Sequence, residues 1–165
     1  MTDTQTPSET TSQTTGQRHR VIKPGEGDNV GAIGLGIHVR MTGEDSKGAY
    51  SLFEYVVPPG LGGPPTHVHT REDELFICTQ GKVRVELDGQ EHIIEAGSSL
   101  LMPRGVPHMF HNPFEEETRI VAVVSPGGLE NYYRALSELP PGPRDMAKIG
   151  AIMTEFGLQL QKPPT

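Results

Sequence analysis

The sequence predicts an all-β barrel followed by a short helical extension, and three observations carry that prediction. Twenty glycines and 15 prolines among 165 residues break long helices and favour short segments joined by turns. Short β-rich segments with turn signals between them run from residue 36 to 125, and residues 82–88 alternate apolar with polar side chains, as a half-buried strand must. After Ser125 the apolar period lengthens from two to about 3.6, the period of one helix face.

The elements follow in order. The first fifteen residues hold seven Thr, two Ser and two Gln, with almost nothing to bury, so residues 1–20 are expected to form a disordered tail. The barrel is expected over residues 21–126. Gly36–Met41 and residues 50–57 are β-rich runs around the polar turn at residues 42–48, which reads as a hairpin. Residues 82–88 place Val83, Val85 and Leu87 on one face and Lys82, Arg84 and Glu86 on the other. Asp88-Gly89 then supplies the positive-φ pair of a tight turn. Residues 90–96, 98–102, 107–112 and 118–125 complete a series of short strands typical of a sandwich or barrel.

Residues 127–165 form the extension. Leu129, Tyr132, Tyr133, Leu136 and Leu139 fall at helical spacing, as do Met146, Ile149, Met153 and Phe156, with Gly157 placed to end the second helix. Their apolar stripes read as packing surfaces that cover an open edge or end of the barrel.

Charge narrows the partners. There are 14 basic and 21 acidic residues, a formal net of -7, and no run of Lys or Arg, so neither nucleic acid nor an anionic membrane surface is an expected partner. The single Cys78 excludes an intrachain disulfide, and the first residues show no basic start followed by an apolar stretch. A cytoplasmic protein is the expectation.

The chemistry gathers after residues 58–65, where seven of eight residues are Gly or Pro. Thr66-His67-Val68-His69 follows. Two histidines at i and i+2 on an extended segment project from one face and can reach one ion, whereas on a helix they diverge. Glu74 comes five residues later, and His108 follows Pro103-Arg104-Gly105-Val106-Pro107. Three imidazoles and a carboxylate suit a transition metal such as Fe, Ni, Mn, Co, Cu or Zn rather than Ca.

These residues resemble the two signature motifs of the cupin superfamily. The first motif runs Gly, five residues, H-x-H, three or four residues, Glu, six residues, Gly. His67, His69, Glu74 and Gly81 fit it, and the distance to Gly81 selects Glu74 over Asp73. The leading Gly departs, since its place is taken by Leu61 between Gly60 and Gly62. The second motif runs Gly, five residues, P-x-G, two residues, His, three residues, Asn, and Gly97, Pro103, Gly105, His108 and Asn112 match it in full. That match selects His108 over His111.

The resemblance covers residues 36–125. It implies a single-domain cupin, a double-stranded β-helix or jelly-roll barrel, here with a two-helix C-terminal extension. It also implies one divalent transition metal ion per chain, held by His67, His69, Glu74 and His108. The short barrel, the three-His, one-Glu set and the Gly/Pro-rich lead resemble the small bacterial quercetin 2,3-dioxygenase-like cupins. By that resemblance the protein is a metal-dependent dioxygenase, an oxidoreductase taking O2 and a flavonol-like or other enol-bearing small molecule. Glu74 would serve as ligand and as the catalytic base.

Two other classes share the scaffold: a non-catalytic small-molecule or sugar-binding cupin, and a metal-dependent isomerase or lyase. A homodimer is expected by the same resemblance. No nucleotide cofactor is expected, because the glycines of residues 31–36 lead into a strand rather than a helix. Phe76 and Cys78 share the parity of Glu74, and Phe110 that of His108, which points them into the barrel. Phe53, Tyr55, Phe76, Met102 and Phe110 are therefore the candidate walls of a substrate pocket. His19, His38 and His92 have no motif partner and read as ordinary strand or surface residues.

Overall fold

The alternating segments fold into two antiparallel sheets whose apolar faces meet. The structure, a computed structural model, describes residues 9–11, 18–23, 25–140, 143 and 145–161. In chain order its elements are β1 (Glu9–Thr11), β2 (Arg18–Arg20), β3 (Asp28–Asn29), β4 (Gly36–Met41), β5 (Ser51–Val57), β6 (His67–His69), β7 (Asp73–Gln80) and β8 (Lys82–Leu87). They continue with β9 (Gln90–Glu95), β10 (Ser99–Met102), β11 (His108–His111), β12 (Thr118–Ser125), α1 (Glu130–Ser137), α2 (Met146–Glu155) and β13 (Leu158–Leu160).

One sheet has the order β10-β7-β12-β5-β4-β3 and the other β13-β6-β11-β8-β9. Neighbours in sequence are mostly not neighbours in the sheets, as a jelly-roll barrel requires. Phe53, Tyr55, Phe76, Ile120 and Ala122 from the first sheet and Val83 and Val85 from the second are fully buried between them. Each alternates with a more exposed neighbour, so the period-two pattern read from the sequence is the pattern of the core. Asp88 and Gly89 both have positive φ, 50° and 74°, which is the expected tight turn between β8 and β9.

Most of the expected N-terminal tail lies outside the described residues. Within it, β1 and β2 pair antiparallel, with Glu9 opposite Arg20 and Thr11 opposite Arg18.

The extension differs from its expectation in one respect. Both helices are present, and Gly157 ends the second with φ 82°, but a further strand, β13, follows. It pairs with β6, placing Leu158 opposite His69 and Leu160 opposite His67. Gln161 N–H donates to Thr66 O and Thr70 N–H to Gly157 O, both at 2.9 Å. Three residues are too few to show a period, and only the open edge of β6 turns them into a strand.

Helix α1 is fastened to the barrel at its start. The buried Glu130 carboxylate accepts from Gly43 N–H at 2.9 Å and from Ser51 Oγ at 2.5 Å, and Gly128 N–H donates to Ser51 Oγ at 2.8 Å. A buried carboxylate is stable only when its oxygens find such donors, so α1 has one seat over the end of the barrel.

Candidate metal centre

Strands β6, β7 and β11 carry the four residues that the family resemblance implies as ligands. β6 lies between β13 and β11, with His67 directly opposite His108, and β7 faces them from the other sheet. The ligand-capable atoms of His67, His69 and His108 all lie within 4.8 Å of one another. Glu74 Oε2 lies 3.8 Å from His69 Nε2 and 3.6 Å from His108 Nε2. All four side chains are buried.

The ring orientations follow from the backbone. His67 Nδ1 sits 2.9 Å from Pro65 O and His108 Nδ1 3.0 Å from Val106 O. Each Nδ1–H donates to its carbonyl, which leaves the Nε2 lone pair turned to the common centre. His108 Nε2 is buried without a hydrogen-bond partner. A buried nitrogen without a hydrogen-bond partner, facing two further imidazoles and a carboxylate, fits the donor set of a transition metal ion.

The electrostatics follow from the same contacts. Burial, with the charges of His108 and His69 added, pushes His67 down to about 3 and holds it neutral. Burial alone would raise the Glu74 carboxyl, but His108 and the other imidazoles hold it below its ordinary value. Burial would lower His108, and Glu74 overrides it, so His108 is raised.

The three consecutive acids Glu72, Asp73 and Glu74 take three different places. Glu74 faces the centre. Asp73 receives Arg104 Nη2 at 2.8 Å, Arg104 Nε at 3.1 Å and the Arg104 backbone N–H at 2.9 Å, which ties the second motif to the first and holds the Asp73 carboxyl at about 2. Glu72, given no role by spacing, is buried with Oε2 3.6 Å from His69 Nδ1. Gly105 N–H donates to His69 O at 2.8 Å. Asn112 is structural: its Nδ2 donates to Val57 O and Glu116 O, and its Oδ1 accepts from Phe114 N–H.

Beside the centre lies a cavity of about 530 Å³, its open mouth included, lined by His67, His69, Glu74 and Phe110 together with apolar residues such as Ile37 and Leu61. Of the five candidate wall residues, only Phe110 lines it. Phe53, Tyr55, Phe76 and Met102 are fully buried behind it, because strand parity shows that a residue points inward but not how deep it lies. The remaining walls come from the extension: Tyr132, Tyr133 and Leu136 of α1, and Leu158 of β13. The helical stripe read as a packing surface therefore packs and also roofs the cavity. Cys78 is a buried free thiol, and His111 lies half-buried on the outer face of β11.

The family match lies on this part of the chain. Residues 53–124 match the cupin domain family (Cupin_2), and these residues run from β5 to β12, through all four candidate ligands. Residues 53–124 thus form a cupin domain. Among curated relatives of this cupin, quercetin 2,3-dioxygenase of Bacillus subtilis (strain 168) is 28% identical over 118 residues, 70% of this chain and 34% of that protein. Oxidoreductase iacF of Pestalotiopsis fici is 42% identical over 55 residues, 33% of this chain and 27% of that protein. The chain thus spans only 34% and 27% of the length of these two relatives. The Schizosaccharomyces pombe Cnp3 cupin domain shares the fold, with a TM-score of 0.57 at 17% identity, covering 82% of this chain and 92% of that one.

Proposed function

We propose that this cupin is a metal-dependent dioxygenase acting on a flavonol-like or other enol-bearing small molecule. The observation that carries the reading is the convergence of three buried imidazoles and one buried carboxylate beside an apolar cavity, with His67, His69 and Glu74 on its wall. Similarity to proteins named quercetin 2,3-dioxygenase and oxidoreductase supports the reaction class. His67, His69, Glu74 and His108 would hold one divalent transition metal ion, which when bound supplies Lewis acidity and a redox path between substrate and O2.

The chain's own residues supply the rest. Glu74, held ionised by its imidazole neighbours, is set to accept the proton of a substrate hydroxyl on its Oε2 side. Ile37, Leu61, Leu136 and Leu158 exclude water from that transfer, and Phe110 offers an aromatic wall to a flat ring. Elemental analysis of the purified protein combined with O2 uptake over a panel of flavonols and simpler enols tests the proposal. A redox-active metal with uptake supports it. Zinc without uptake overturns it in favour of a binding cupin or an isomerase.

The same reading includes a cytoplasmic homodimer. On the outer face of the first sheet Leu101 pairs with Leu75, Leu75 with Val123, and Val123 with Leu52, and Ile77 with Val121 forms the next row. Leu101 is 56% exposed and Ile77 37%. The charge beside these rows, Glu54, is already met by Arg40 and Arg119 of the same chain. An apolar, internally neutralised face suits a second copy of itself better than a charged partner.

A further inference from the structure

We infer that Tyr133 of helix α1 positions Glu74 through Tyr55, so that the helical extension sets the orientation of the carboxylate at the metal centre. The inference rests on the reading of that centre given above. Tyr55 Oη lies 3.2 Å from Glu74 Oε1, and the Tyr55 and Tyr133 hydroxyls are 2.6 Å apart.

Proton counting gives the chain a direction. An ionised carboxylate only accepts, so Tyr55 must spend its single proton on Glu74. The bond between the two phenols then has only one available donor, Tyr133. The order is Tyr133 O–H to Tyr55 O, and Tyr55 O–H to Glu74 Oε1. Donation from Tyr133 polarises the Tyr55 hydroxyl and strengthens its bond to the carboxylate. With Oε1 held in this way, Oε2 is the oxygen that faces His69 and His108.

The rings are locked as well as bonded. Tyr55 stacks on Phe110, with centroids 6.1 Å apart and planes 5° apart, and meets Phe76 edge-on at 5.8 Å. Tyr133 meets Phe53 edge-on at 5.3 Å and Tyr55 at 6.0 Å. The Glu130 contacts that seat α1 on the barrel lie about one helical turn before Tyr133, so the hydroxyl has little freedom to leave its partner. Tyr133 also lines the cavity, which puts one member of the chain where an occupant of the cavity would touch it.

Positioning groups behind a metal ligand typically alter affinity by 10–100-fold when removed. The test uses Tyr133→Phe and Tyr55→Phe, which delete one oxygen each, with thermal unfolding to establish that both variants fold. The first readout needs no metal: the ¹³C resonance of the Glu74 carboxyl in the metal-free protein. Tyr133→Phe is expected to move it through Tyr55, and an unchanged resonance overturns the inference. The second readout is titration with Co²⁺ alone, where both variants are expected to bind about tenfold more weakly with altered visible bands. Variants with wild-type affinity and bands likewise overturn it. If the wild type takes up no Co²⁺, the reading of the centre fails, and the Glu74 resonance still decides whether the tyrosines position the carboxylate.

Discussion

Leu158 stands directly opposite His69 in the antiparallel pairing of β13 with β6. The last described strand thus braces the strand that carries two of the three imidazoles. Leu158 is 2% exposed whereas Leu160 is 40% exposed. Leu158→Ala is expected to cost about 3 kcal/mol in urea unfolding and to reduce bound metal, while Leu160→Ala stays within about 0.5 kcal/mol of wild type. Equal losses would mean that side-chain burial is not what anchors the strand.

Metal content should separate the two histidines of β11. His108 faces the centre, and His111 points to the other side of the strand. His108→Ala is expected to lower the metal retained through gel filtration by about tenfold or more, and His111→Ala to retain it. Elemental analysis of both variants decides.

Close approach makes Gly63 far less replaceable than Gly60. Both have positive φ, 70° and 72°, but a Cβ on Gly63 would stand 1.7 Å from Phe110 O, while one on Gly60 meets nothing within 4 Å. Gly63→Ala is expected to cost about 3 kcal/mol or more and Gly60→Ala about 1 kcal/mol, by chemical denaturation. Similar losses would show that φ alone governs the loop.

Acid stability has a named contributor. Burial alone would raise the Glu54 carboxyl, but Arg40, joined by Arg119, holds it below the ordinary 4.5. A folded-state value below the unfolded one means that ionised Glu54 favours the folded state above pH 4.5, and that this contribution is lost as pH falls through the folded-state value. Glu54→Gln should therefore lose about 2 kcal/mol at neutral pH and show a shallower fall in stability below pH 4.5. Parallel pH profiles for the two proteins would exclude Glu54 as the cause.

Association through the outer sheet face is open to sedimentation analysis. Leu101→Lys and Ile77→Lys place charges on the apolar rows, and the proposed dimer should shift to monomer in these variants. A wild-type monomer, or a variant dimer of unchanged strength, refutes this interface.

The candidate ligands were legible in the sequence because the motifs that carry the family resemblance are local. His67 and His69 share a face by strand geometry, and the distances Glu74 to Gly81 and Pro103 to His108 are intervals along one chain. The strands of the barrel were legible for the same reason, since Val83, Val85 and Leu87 announce a buried face by their period alone.

Spacing along the chain decided nothing about contacts between distant segments. That Tyr133 reaches Tyr55, that β13 pairs with β6, and that Phe110 lines the cavity while Phe53 and Phe76 stand behind it all depend on how the two sheets and α1 pack. A periodic pattern states which face of an element is buried; only the packed neighbour determines whether that face meets core, cavity or a hydroxyl group. By itself, therefore, the sequence determined the fold and the residues able to gather at one centre. The tertiary structure decided what surrounds that centre, because hydrogen-bond partners and cavity walls are set by three-dimensional proximity, which no interval along the chain encodes.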